Sequence, residues 1–364
     1  MPKVMKNFFI GIDFSKEKFD ATLISTRKGL QMENVHNVFP NNEDGYEELL
    51  GWLGELVGRR ARKSYLFCGE HTGAYSYNAA KWLYEKGYDV CLENPRVIKG
   101  SMGMLRGKSD KADSAAIARY CRNRQDELTL FVPMSDEVST LDALLTLREG
   151  TKNSRKSMQL CLKSKSEYKN PSPKVRQLGE RMAKLIEAMK DIEDEAEAMI
   201  REEAESSGEL AANYAIVTSF TGISTINAAA MLVYSDNFRK FSASRQMMCY
   251  WGVAPFGRES GSSVHSQPHV SPKANKWLKG LISEAAKCAV RHNTPIKRYY
   301  DHLISENKPK GIALNNAKAK IIHIVFSMVR HQQMFNPKHE LNRMIDHDYG
   351  NVNAYGNNMQ MLNI

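Results

Sequence analysis

The sequence predicts an α/β domain at the N-terminus, a long antiparallel helical arm in the middle, and a mainly α-helical domain at the C-terminus. Three observations lead there. Over residues 8–92, short apolar runs alternate with stretches of helical spacing. From Val175 to Met199, apolar residues recur in an unbroken 3-4 alternation. Beyond residue 210 the composition is globular again, with basic helical segments reaching residue 330. A chain of 364 residues has room for two or three domains. The expected boundaries are 1–135, 136–209 and 210–331, with a poorly ordered tail at 332–364.

In the first part, residues 8–13 read as an apolar strand and residues 19–25 as its hairpin partner across a polar turn. Residues 35–39 make a third strand. Tyr46, Leu49, Leu50, Leu53 and Leu56 give residues 42–56 helical spacing. Residues 64–68 form a strand that ends at Gly69-Glu70, and a helix at 74–86 stops at Gly87. A last strand spans 88–92, and residues 110–124 form a helix with Ala115, Ile117, Ala118 and Cys121 facing inward. A three-strand meander followed by alternating helices and strands is the element order of a ribonuclease-H-like domain.

The arm begins with a helix over residues 137–168. Asn170-Pro171-Ser172-Pro173 turns the chain, since prolines cannot continue a helix. Val175, Leu178, Met182, Leu185, Met189, Ile192, Ala196 and Met199 then form a coiled-coil seam, whose partner this pattern leaves open. In the last part, an alanine-rich helix follows Thr221-Gly222-Ile223, and another helix covers 238–252. A polar loop over 257–272 precedes two or three basic helices in 273–330.

Charge narrows the function. Lys and Arg number 51 against 41 Asp and Glu, a net +10. Between residues 236 and 331 there are 16 basic and 5 acidic residues, so the excess is concentrated there. Residues 96–124 and 148–176 are basic as well, with 8 against 2 and 9 against 2. Positive charge gathered in segments suits a polyanion, because phosphate contacts release counterions. Solvated helix faces are the alternative for any one segment. Six scattered cysteines argue for buried thiols rather than disulfides or a zinc knuckle. No apolar run reaches the roughly 20 residues a membrane span needs. A bacterial or archaeal cytoplasmic protein is expected.

Four acids could carry chemistry. Asp110 and Asp113 lie three apart on a helix, which puts both carboxylates on one face. Asp13 ends the first strand and Glu70 ends a neighbouring one. Together they form an oxygen-rich set suited to Mg²⁺, a hard cation that bridges phosphate oxygens. Each acid also has a plain structural role: a turn cap for Asp13, a helix start for Glu70, and an N-cap with its first turn for Asp110 and Asp113. The segment Gly11–Ser15 lacks the glycine that an actin-like phosphate loop places after its aspartate. No Gly-rich Lys-Ser/Thr loop is present. In the basic half, Arg258-Glu259-Ser260-Gly261-Ser262-Ser263 offers an accessible serine, though any flexible loop reads the same way. Serine needs a base or metal to become a nucleophile. His265 and His269 are candidates, but two histidines alone make a poor zinc site.

These residues resemble the DEDD-type insertion-sequence transposases, which include Piv-type DNA invertases and bridge-RNA-guided recombinases. The resemblance rests on Gly11-Ile12-Asp13-Phe14-Ser15-Lys16, Glu70-His71-Thr72-Gly73, Asn94-Pro95 and Lys108-Ser109-Asp110-Lys111-Ala112-Asp113. It continues through Phe220-Thr221-Gly222-Ile223, Gly252-Val253-Ala254-Pro255, Glu259-Ser260-Gly261-Ser262-Ser263 and Ser271-Pro272-Lys273. It implies a RuvC-like domain whose Asp13, Glu70, Asp110 and Asp113 bind Mg²⁺ (or Mn²⁺), and a nucleophilic Ser260. It further implies donor and target double-stranded DNA, a structured noncoding guide RNA, and homodimers or tetramers. Strand cleavage would pass through a covalent serine–DNA link and a junction. The alternative reaction is hydrolysis by metal-activated water, as in a junction-resolving nuclease. Ser224, His265 and Asn275 depart from the usual residues at their positions.

Overall fold

The computed structural model describes residues 6–101, 109–166, 171–206, 208–260, 264–270 and 274–339. The chain divides into two compact units, Met1–Pro133 and Met134–Ile364. The first is an α/β unit with a five-stranded sheet in the order β3-β2-β1-β4-β5. Its strands are β1 (Phe8–Phe14), β2 (Lys18–Ser25), β3 (Met32–Pro40), β4 (Tyr65–Glu70) and β5 (Asp89–Glu93). The first three form an antiparallel meander, and β4 and β5 add in parallel beside β1. This is the ribonuclease-H-like order. The helices are α1 (Glu43–Val57), α2 (Ala74–Glu85), α3 (Pro95–Ser101) and α4 (Asp110–Arg124). Sequence periodicity is too short to reveal α3, whose seven residues follow Asn94.

Apolar side chains cover both faces of the sheet. Phe8, Ile10, Ile12, Phe19, Leu23 and Phe67 pack under α1 and α2, while Phe9, Leu66, Cys68 and Cys91 pack under α4. Gly11 decides how closely α4 approaches. A Cβ there would collide with the Ala118 amide nitrogen and the Ser114 carbonyl oxygen, so only glycine lets the helix lie on β1. Thr22 and Ser114 exchange a buried hydrogen bond of 2.8 Å that fixes the same helix to β2.

The second unit is helical. Helices α5 (Asp136–Ser166) and α6 (Pro173–Glu205) run antiparallel, with Arg148 against Glu197 and Arg155 against Glu193. The seam read from the sequence divides between two faces. Met182, Met189 and Ala196 turn inward, whereas Val175, Leu178, Leu185, Ile192 and Met199 are exposed. The inward stripe is completed by Gly179, Ile186, Glu193 and Ile200. Arginine–glutamate pairing across the arm, invisible to an apolar heptad, accounts for Glu193 in that stripe.

The remaining helices are α7 (Gly208–Thr218), α8 (Thr225–Tyr234), α9 (Ser244–Tyr250), α10 (Lys276–His292), α11 (Thr294–Ser305) and α12 (Lys310–Arg330). They enclose Phe220, Met231, Trp251, Ile282 and Ile321. Four expectations are corrected. The helix expected at 238–252 begins only at Ser244, because Asp236, Asn237 and Phe238 take positive φ and the Ser235 hydroxyl accepts from the Phe238 amide at 2.8 Å. The polar loop expected at 257–272 contains an antiparallel hairpin, β6 (Pro255–Ser260) and β7 (Val264–Val270). A register shift between Phe256 and Arg258 brings Pro268 to a bulge, where a missing N–H costs no ladder bond. The tail is ordered at its start: the Phe335 ring packs tilted against Phe220 with centroids 4.6 Å apart, and its amide donates to the Ser219 hydroxyl. Residues 340–364 lie outside the described residues. Of six free cysteines, only Cys68, Cys91 and Cys121 are buried.

Candidate active site

Strand order brings the first two acids together. Ile12 pairs with Gly69 in the parallel β1–β4 ladder, so Asp13 and Glu70 emerge side by side at the C-terminal ends of adjacent strands. Such strand ends are where open α/β sheets place their ligands. Helix α4 supplies the others. Its N-cap is Ser109, whose hydroxyl accepts from the Ala112 amide at 3.2 Å, and Asp110 and Asp113 occupy the first turn. The close approach permitted by Gly11 carries that turn to the end of β1.

The electrostatics record the gathering. Asp13 is pushed up to about 6, first by burial and then by repulsion from Asp113, Glu70, Asp110 and Asp20. A fifth acid, Asp20, faces Asp13 directly across the β1–β2 hairpin. It is buried and held by His36 at 2.8 Å and by Lys18 at 3.2 Å. Lys18 also bonds Asp110 at 3.0 Å, and both carboxylates keep its ammonium charged above the ordinary lysine value. Among the described residues no three acidic, histidine or cysteine groups converge as a ready-made ion cage. The donor set is nonetheless all carboxylate, and its mutual repulsion is the kind that a hard divalent cation relieves. The residues fit such an ion.

Ser260 is the last residue of β6 and pairs with Val264. Its side chain and residues 261–263 lie outside the described residues, as do Lys108 and residues 271–273. His265 and His269 lie on β7, opposite Glu259 and Phe256.

Residues 10–165 match a transposase profile of the DEDD, IS110 type, and residues 214–301 match that of the transposase IS116/IS110/IS902 family. The chain belongs to the IS110 family of DEDD transposases. It is an enzyme of phosphoryl transfer on DNA, and membership implies a divalent metal. Distant relatives extend the match across both units of this transposase. It is 24% identical over 352 residues to the pilin gene-inverting protein of Moraxella lacunata, covering 92% of this chain and 99% of the relative. The Moraxella bovis protein of that name gives the same identity and coverage. An uncharacterized 43.6 kDa protein of insertion element IS110 from Streptomyces coelicolor is 27% identical over 115 residues, 32% of this chain and 28% of the relative.

Two departures of this transposase from the usual pattern have local reasons. Ser224 is the N-cap of α8 and accepts from the Asn227 amide. Asn275 caps α10, accepting from the Trp277 and Leu278 amides. Sequence reasoning missed Asp20, Lys18 and His36. The hairpin turn carried the signal, because pairing Asp13 across it lands on Asp20. The basic limb of the arm is less free than its charge suggests: Arg148 pairs with Glu197, and Arg155 is forked onto Glu193. No helix among the described residues is long and apolar enough to cross a membrane.

Proposed function

We propose that this transposase cuts and rejoins DNA through a serine nucleophile, with Asp13, Glu70, Asp110 and Asp113 holding Mg²⁺, for which Mn²⁺ can substitute. The observation that supports the reading is the placing of Asp13 and Glu70 at the ends of adjacent strands, with burial first and then Asp113, Glu70 and Asp110 raising Asp13 to about 6. Bound there, the divalent ion supplies charge stabilisation to phosphate oxygens and to a developing alkoxide. Ser260 Oγ attacks a backbone phosphorus, a Ser–O–P ester forms, and one P–O bond to deoxyribose breaks. The serine proton ends on the released sugar oxygen, leaving a free hydroxyl. A hydroxyl from the partner strand then attacks the ester and restores Ser260, so no phosphodiester is lost to water. The mechanism requires Ser260 to reach the acids of its own or another copy on DNA. The name borne by the Moraxella relatives, which describes gene inversion, supports recombination over simple hydrolysis.

The same reading includes a structured noncoding RNA that pairs with donor and target DNA, which would leave the protein to hold backbone. The basic residues 96–124 and 148–176 support it. It also includes a homodimer or tetramer. Supporting this is the stripe on α6 where Leu178, Leu185, Ile192 and Met199 recur every seven residues and stay exposed among the described residues. The test uses a plasmid carrying the element with its noncoding flanks, and wild-type or Ser260→Ala protein. A protein–DNA adduct that survives denaturation and disappears in the variant is the expected result. Nicked DNA without an adduct, equal in both, refutes the serine mechanism and favours metal-activated water.

A further inference from the structure

Lys318 sits on α12 at 9% exposure, the one buried lysine among the described residues. No hydrogen-bond acceptor or carboxylate pairs with it among those residues. A lysine so placed buries its stem and turns its ammonium towards the surface, normally beside an acid. Here the neighbours that act on it are cations. Burial first, then Lys279 and Lys287, pull its ammonium below the ordinary lysine value. Those two lie eight residues apart on α10, about 12 Å along the helix, and α10 packs against α12. Three like charges on two packed helices are unfavourable until an anion joins them.

The position of these lysines is as informative as their charge. The stem of Lys279 runs beside Gly252, where an added Cβ would come within 3.9 Å of Lys279 Cδ. Asn315, one turn before Lys318, donates to the Val253 carbonyl at 2.9 Å. Helices α10 and α12 therefore both hold the Gly252–Val253 turn that leads straight into β6 and ends at Ser260. We propose that Lys318, Lys279 and Lys287 form an anion site that seats a backbone phosphate of duplex DNA at the root of the β6–β7 hairpin. Its assignment to the cleaved strand rests on the serine reading. The site itself does not.

The test therefore measures binding in a Ser260→Ala background, which separates it from the cleavage chemistry. Lys318→Met keeps the unbranched stem and removes the charge. Lys287→Met, at an exposed position, guards against a folding defect. Affinity for duplex DNA of arbitrary sequence is followed by fluorescence anisotropy between about 50 and 200 mM salt, where each phosphate contact adds about 0.9 to the slope of log affinity against log salt. Each variant is expected to lose about one unit of slope, so that over this range the parent loses about threefold more affinity than the variant. Lys297→Met, whose ammonium is already paired with Asp301 at 3.0 Å, should leave the slope unchanged. An unchanged slope in folded Lys318→Met and Lys287→Met overturns the proposal. So does an equal loss in Lys297→Met, a loss seen with structured RNA but not duplex DNA, or a parent chain that does not bind duplex DNA at all.

Discussion

Replacing Asp13 by Asn should stabilise the metal-free protein while abolishing its activity. Asp13 lies at about 6 against an ordinary 3.8, so folding raises its pKa by roughly two units. At about 1.4 kcal/mol per unit this is an upper bound near 3 kcal/mol, and partial exposure to water and salt lowers it to about 1–2 kcal/mol. The sign follows from proton linkage. A carboxyl whose pKa rises on folding destabilises fully above the folded value, and the penalty fades as pH falls from about 6 towards 3.8. Denaturant unfolding in a chelator at pH 7 should thus show Asp13→Asn more stable than wild type, with the gap closing by pH 4. Added Mg²⁺ should stabilise wild type more than the variant. A destabilised variant, or a gap independent of pH over that window, would refute the account of a crowded carboxylate site.

Further outcomes test other parts of the structure. Gly11→Ala should destabilise the N-terminal unit by about 3 kcal/mol or more, because backbone of α4 cannot yield to a methyl group as a side chain could; thermal melting reads it. Arg155→Ala should lower the melting temperature of the arm by leaving Glu193 without its charge partner, and Arg155→Met with Glu193→Leu should recover most of that. Leu185→Glu with Ile192→Glu should leave the monomer's helicity intact and dissociate any homo-oligomer in sedimentation velocity, since both side chains are exposed within the chain. Asp113→Asn should remove strand cleavage on plasmid DNA while duplex affinity changes less than threefold, a split that a purely structural acid would not produce.

What was legible in the sequence depended on the range of the interactions involved. The β1–β2 hairpin, the strand ending at Glu70 and the helix opening at Asp110 are set by local periodicity and capping, which neighbouring residues impose on each other. Their order along the chain then gave the ribonuclease-H-like sheet and grouped the four acids. The β6–β7 hairpin escaped notice because Gly, Ser and Pro within it carry turn signals as strongly as strand signals. The start of α9 escaped because three left-handed residues, held by Ser235, depend on Phe238 finding a place in the core.

The sequence by itself determined the family and the order of β1 to β5 with α1, α2 and α4, since these follow from residue types and spacings within a few turns or strands. Tertiary structure alone decided which stripe of α6 faces α5: the one carrying Met182, Ile186, Met189, Ala196 and Ile200, in which Glu193 meets Arg155. It alone set Asp20 beside Asp13 and Lys18 beside Asp110, and brought Lys279 and Lys287 of α10 near Lys318 of α12. Charges far apart in the chain acquire their meaning only when packing removes the water between them.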